Sequence, residues 1–130
     1  MDIATIKNIF ETQFQGIRDK FQDPLVLGIQ EARKSNIIKP GVYVIWNKAY
    51  EALKVGRSLT NSRTRALQHL AKFTGYKGEN AEIMSSLEND PTTKIILFNV
   101  KNKEDFHWVA ALEIYFELSV QPIIRAKRLA

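Results

Sequence analysis

The chain has 130 residues, 45% of them hydrophobic, with a formal net charge of +5, no cysteine and two histidines. That size fits one domain able to bury its own core. The missing cysteines exclude a disulfide framework, a cysteine zinc site and a thiol nucleophile, and His69 and His107 alone argue against an all-protein zinc cage. No apolar run approaches the roughly 20 residues of a membrane span, so no membrane partner is expected. The opening MDIATIKNIFETQF lacks the basic start and long apolar stretch of a secretion signal, and the expected location is the cytoplasm.

In chain order, Ile3, Ile6, Phe10 and Phe14 recur at helical spacing and predict an amphipathic helix over residues 2 to 15. Residues 24 to 35 (PLVLGIQEARKS) read as a second helix with Pro24 in its first turn. Pro40-Gly41 breaks the chain before a strand, GVYVIW, at 41 to 46. Asn47 to Tyr50 makes a turn and Glu51 to Gly56 returns, giving a β-hairpin. Thr60, Asn61 or Ser62 caps a helix running to about Phe73, with Leu67, Leu70, Ala71 and Thr74 on one side. A short helix follows at Asn80 to Leu87, a third strand at Lys94 to Val100, and an apolar helix at Asp105 to Val120 that Pro122 ends. The expected fold class is α+β, a small antiparallel three-stranded sheet of hairpin plus later strand, flanked by helices.

Charge is unevenly spread. Between Ala52 and Gly78 there is no acid but six strong bases, Lys54, Arg57, Arg63, Arg65, Lys72 and Lys77. After Glu117 come Arg125, Lys127 and Arg128. Such one-sidedness suits a polyanionic partner, most simply a phosphate backbone, although a solvated basic face reads the same way.

Four features point to chemistry. A hairpin centred between residues 48 and 49 pairs Trp46 with Glu51 and Tyr43 with Lys54, placing a phenol beside an ammonium that favours its ionised form. The plainer alternative is an edge tyrosine packing next to a solvated lysine. Gly56 at the strand end admits a ligand's backbone, or simply turns the chain. Arg65 and His69, four apart on a helix, share a face that can clamp a phosphate, or that water covers. Glu113 sits in the middle of the apolar stripe Phe106, Val109, Ala110, Phe116 and Val120. A carboxylate there needs a partner, either a metal ion or a basic side chain, with Glu117 one turn on as the alternative candidate.

Taken together these residues resemble the GIY-YIG nuclease family. The family's Gly-Ile-Tyr strand corresponds to Gly41-Val42-Tyr43, and its Tyr-Ile-Gly, about ten residues later, to Lys54-Val55-Gly56, followed here by Arg57-Ser58. Its Arg-x-x-x-His matches Arg65 and His69. Its late Leu-Glu pair matches Leu112-Glu113, with Pro122 nine residues after the glutamate. The likeness covers about residues 41 to 125. Two positions depart from it: Lys54 replaces the second tyrosine, as in some phage and restriction enzymes of the superfamily, and Arg125 stands where an asparagine is expected.

The resemblance implies a single domain over 1–130, with residues 1–39 a helical extension and 40–126 a catalytic module. It implies a metal-dependent endonuclease hydrolysing phosphodiester bonds of DNA, with RNA left open. Tyr43 would be the general base, Lys54 would polarise it, Arg65 would stabilise phosphoryl charge, and His69 would support the phosphate or relay a proton. Glu113 would hold one Mg²⁺ or Mn²⁺. Gly56, Arg57, Ser58, Arg63, Lys72 and Arg125 would bind the nucleic acid, and the N-terminal helices would serve DNA contact or a homodimer. Two alternatives compete: a nucleic-acid-binding module without catalysis, and a protein-interaction domain whose basic strip meets an acidic partner.

Overall fold

Four strands, β1 (Leu25–Gly28), β2 (Gly41–Asn47), β3 (Glu51–Ser58) and β4 (Lys94–Asn99), form one antiparallel sheet in the order β1-β4-β2-β3 in the computed structural model, which describes residues 1–71 and 76–126. The class is α+β as expected, but the sheet has four strands rather than three. The additional strand comes from the segment read as one helix from 24 to 35. Leu25, Val26 and Leu27 pair with Leu97, Ile96 and Ile95, and only from Ile29 to Lys34 does the chain turn helical, as α2. Gly28 in mid-helix would cost about 1 kcal/mol relative to alanine. As a helix start it costs less, and its N–H donates to the Glu31 carboxylate at 3.1 Å.

Strand β2 is buried almost throughout because both faces of the sheet are covered. On one face Val42, Val44, Val55, Ile96 and Phe98 pack against α1 (Ile3–Gln13) and α5 (Phe106–Val120). Asp2 caps α1 by accepting from Thr5 N–H at 2.8 Å, and Phe10 lies against Phe21 and Phe98. The apolar side of α1 is thus used within this chain, and Asn8, Glu11 and Thr12 face outward. A 3-10 turn at Gln15–Lys20, not expected from the sequence, leads on to β1. On the other face Tyr43, Ile45, Ile95 and Leu97 pack with α2, α3 (Ser62–Leu70) and α4 (Gly78–Leu87). Asn61 caps α3, and the expected extension of that helix to Phe73 and Thr74 lies outside the described residues. In α5 the buried stripe includes Leu112 and Glu117, while Phe106 is exposed.

The hairpin register differs from the expected one. Tyr43 faces Gly56, Ile45 faces Lys54, and Trp46 faces Ala52 rather than Glu51, with Leu53 as an extra residue at the register shift. The turn holds three residues, and Glu51 takes a left-handed conformation at φ 60°. For Tyr43 the partner moves by two positions, and because side chains alternate with period two, Lys54 keeps the face of Tyr43. The two are diagonal neighbours instead of opposite ones. Asn47, fully buried, fixes this turn: its Oδ1 accepts from Ala49 N–H and Tyr50 N–H, and its Nδ2 donates to Asp90 at 2.8 Å. Asn47→Ala should therefore cost about 1–3 kcal/mol, read as a lower midpoint in urea unfolding, since it strands buried polar groups.

Candidate active site

Strand β3 is the last strand in the sheet order, and side chains from both faces meet along it. A cavity of about 240 Å³ there is lined by Tyr43 from β2, Lys54 to Arg57 from β3, Arg65 and His69 from α3, Glu113 from α5, and Ala126 from the tail. All five residues expected to be catalytic border this one space. Of those expected to bind nucleic acid, Gly56 and Arg57 join them. A larger groove of about 430 Å³, lined partly by Lys39, Lys101 and Lys103, contains none of these groups.

Gly56 makes the cavity possible. A Cβ at this position would overlap Oη and Cζ of Tyr43. The glycine is thus filled by the tyrosine ring of its cross-strand partner, not by an approaching ligand backbone. Packed this way, the ring lies across β3 with its phenol at the cavity. Asn61 and the α3 helix it caps then bring Arg65 and His69 over the same face, because residues four apart share a side.

Glu113 arrives from the opposite face, since α5 packs in the core that Tyr43 does not share. Its carboxylate is only 4% exposed, and Arg57 Nη1 donates to Oε1 at 3.2 Å. Arg57 is thus a basic partner of this buried carboxylate. Lys54, Arg57 and Arg65 bring three cations to one carboxylate, so the cavity is positive and suited to an anion. Among the described residues there is no group of three or more His, Cys, Asp or Glu able to hold a metal. A magnesium ion here would have Glu113 as its protein ligand and take its other ligands from water and substrate oxygens, a common arrangement for that ion.

His69 is held neutral. Burial, then the charges of Arg65 and Lys54, push its pKa from 6.5 down to about 4. Its ring lies 5.6 Å from that of Tyr43, and its Nδ1 is 2.6 Å from the hydroxyl of Tyr76. Burial pushes the Tyr76 phenol up to about 12. Tyr76 did not emerge from sequence reasoning. It follows α3 rather than lying on it, so no helical spacing links it to His69.

Other expected contacts sit elsewhere. Ser58 Oγ accepts from Thr60 N–H and Asn61 N–H and shapes the loop before α3. Arg63 donates to the carbonyls of Ile37 and Ala32, tying α3 to α2. Arg125 pairs with buried Glu117 at 3.3 Å, and Glu117 also accepts from Ala126 N–H. That pair holds the tail so that Ala126 borders the cavity, and makes Glu117 a clasp on the tail. Lys72 lies outside the described residues.

Comparisons with protein-family models, curated proteins and solved structures gave no match.

The depressed His69 pKa fixes the sign of a pH effect. The unfolded chain takes up this proton near pH 6.5 and the folded one only near 4. The contribution of His69 to stability is complete above about 6.5 and is lost as pH falls toward 4. His69→Gln should flatten the decline in Tm over that window, measured by circular dichroism at matched ionic strength. An unchanged slope would contradict the assignment.

Proposed function

We propose that this chain is a metal-dependent endonuclease of the GIY-YIG type, acting on the phosphodiester backbone of DNA in the cytoplasm. The observation that carries the reading is the convergence of Tyr43, Lys54, Arg65, His69 and Glu113 on one positive cavity large enough for a phosphate. These are the residues, in order, on which the family resemblance rests.

In this reading Tyr43 acts as its phenolate, favoured by the Lys54 ammonium on the same face, and takes a proton from the attacking water, whose oxygen forms the new bond to phosphorus. The bond to the leaving oxygen breaks, and that oxygen takes up a proton from solvent water, giving a phosphomonoester and a hydroxyl. Lys54 places positive charge on the same face as the phenol. Arg65 presents its planar guanidinium to the phosphoryl oxygens as charge builds on them. Neutral His69 donates a hydrogen bond to the phosphate instead of adding charge. Arg57, paired with Glu113 at 3.2 Å, borders the space a phosphate would fill and makes a backbone contact that positions without reading sequence. Glu113 would hold Mg²⁺ or Mn²⁺, which supplies Lewis-acid polarisation and charge neutralisation at the leaving oxygen when bound.

One observation favours a second reading, a nucleic-acid-binding module without catalysis: the proposed metal ligand already has an arginine partner. That module would bind DNA in a salt-sensitive way and leave it intact in Mg²⁺.

Glu113→Ala should reduce cleavage of a labelled duplex by on the order of a thousandfold or more while retaining most DNA affinity in a filter-binding assay, because the carboxylate acts on the reaction and not on the backbone. Wild-type cleavage by that variant would remove Glu113 as metal ligand. Tyr43→Phe should be comparably inactive, and full activity would remove the base assignment.

A further inference from the structure

Tyr76 touches the proposed catalytic group His69 yet plays no part in the mechanism above. Its hydroxyl lies 2.6 Å from His69 Nδ1, and the two rings are tilted, with centroids 5.7 Å apart. We propose that Tyr76 fixes the tautomer of His69: the phenol O–H donates to Nδ1, the ring proton resides on Nε2, and this N–H is presented to a phosphate oxygen in the cavity. The phosphate half of this assignment rests on the nuclease reading.

The direction of the hydrogen bond follows from the chemistry of the pair. An imidazole nitrogen is a much better acceptor than a phenolic oxygen. With the phenol pushed up to about 12 and the imidazole down to about 4, both groups are neutral near pH 7 and one proton lies between them. Were Nδ1 the donor, Tyr76 would have to turn its own proton toward another acceptor. Among the described residues, His69 is its one hydrogen-bond partner. Arg65 on the same helix and Lys54 from β3 act on His69 as charges, Tyr43 from β2 contacts its ring, and Glu113 from α5 borders the same cavity. A histidine in such a place is defined by which nitrogen the other partner occupies. Tyr76 is thereby a positioning residue: it converts His69 from an ambiguous donor or acceptor into a neutral donor of known direction.

The test needs no substrate for its first half. The imidazole nitrogens of the ¹⁵N-labelled chain are observed by long-range proton–nitrogen correlation at neutral pH, with exposed His107 as the internal reference. The wild type should show His69 almost wholly as the Nε2–H tautomer. Tyr76→Phe, which keeps the ring and removes only the hydroxyl, should yield a mixture at His69 and leave His107 unchanged. Inorganic phosphate should shift the wild-type Nε2 signal saturably. An Nδ1–H tautomer in the wild type, or an unaltered tautomer in Tyr76→Phe, would overturn the proposal, and a phosphate-insensitive Nε2 would overturn its phosphate half. In Mg²⁺, Tyr76→Phe should lower kcat about 10- to 100-fold, the size expected of a misdirected catalytic group, with KM little changed. If the nuclease reading is the part that fails, the tautomer remains in place and the wild type does not cut.

Discussion

The site depends on a ring lying where a side chain is missing. Tyr43 faces Gly56 across the hairpin, and its phenol occupies the space a Cβ at 56 would claim. This contact sets the height of the phenol above β3 and keeps the strand thin at the point where the two faces of the sheet meet. Glu113 comes to the cavity from α5 on one face, while Arg65 and His69 come from α3 on the other. A bulky residue at 56 would displace the phenol and close the passage between them. The hairpin that holds this pair in register is in turn fixed by Asn47, whose buried amide satisfies the turn and the segment before β4 together.

Charge gives the cavity its chemical character. Three cations surround one carboxylate, and the histidine among them is held neutral by burial and by two of those cations. Such a site is suited to an anion the size of a phosphate. The Arg57–Glu113 pair keeps the buried carboxylate compensated.

Much of this arrangement is legible in the sequence. Strong periodicity and β-branched runs place α1, β2, β4 and α5 to within a residue or two of their observed bounds. Glu113 stands out because a carboxylate on an apolar stripe requires a partner. The identity of that partner was open, since Arg57 is distant in sequence and on another element. The segment of β1 reads as helix in sequence because a short apolar run carries no period of its own, and its strand character comes from pairing with the edge of β4. The hairpin register depended on a three-residue turn and an extra residue at Leu53, neither of which alternation reveals. The observed register puts Gly56 opposite Tyr43, two positions from Lys54, and so keeps Lys54 on the face of Tyr43. Arg63 and Arg125 show the converse limit. Basic residues near the motif read alike in sequence, and only tertiary contacts distinguish those engaged with backbone carbonyls or a buried glutamate from those lining the cavity.

The central claim, that this cavity hydrolyses a phosphodiester bond with a divalent metal, is tested most directly on supercoiled plasmid incubated with the purified protein in Mg²⁺ or in chelator, then resolved on a gel. The account predicts conversion to open-circular or linear DNA in Mg²⁺ and none in chelator. Plasmid that remains supercoiled in both Mg²⁺ and Mn²⁺, while binding the protein in a salt-sensitive way, would contradict it.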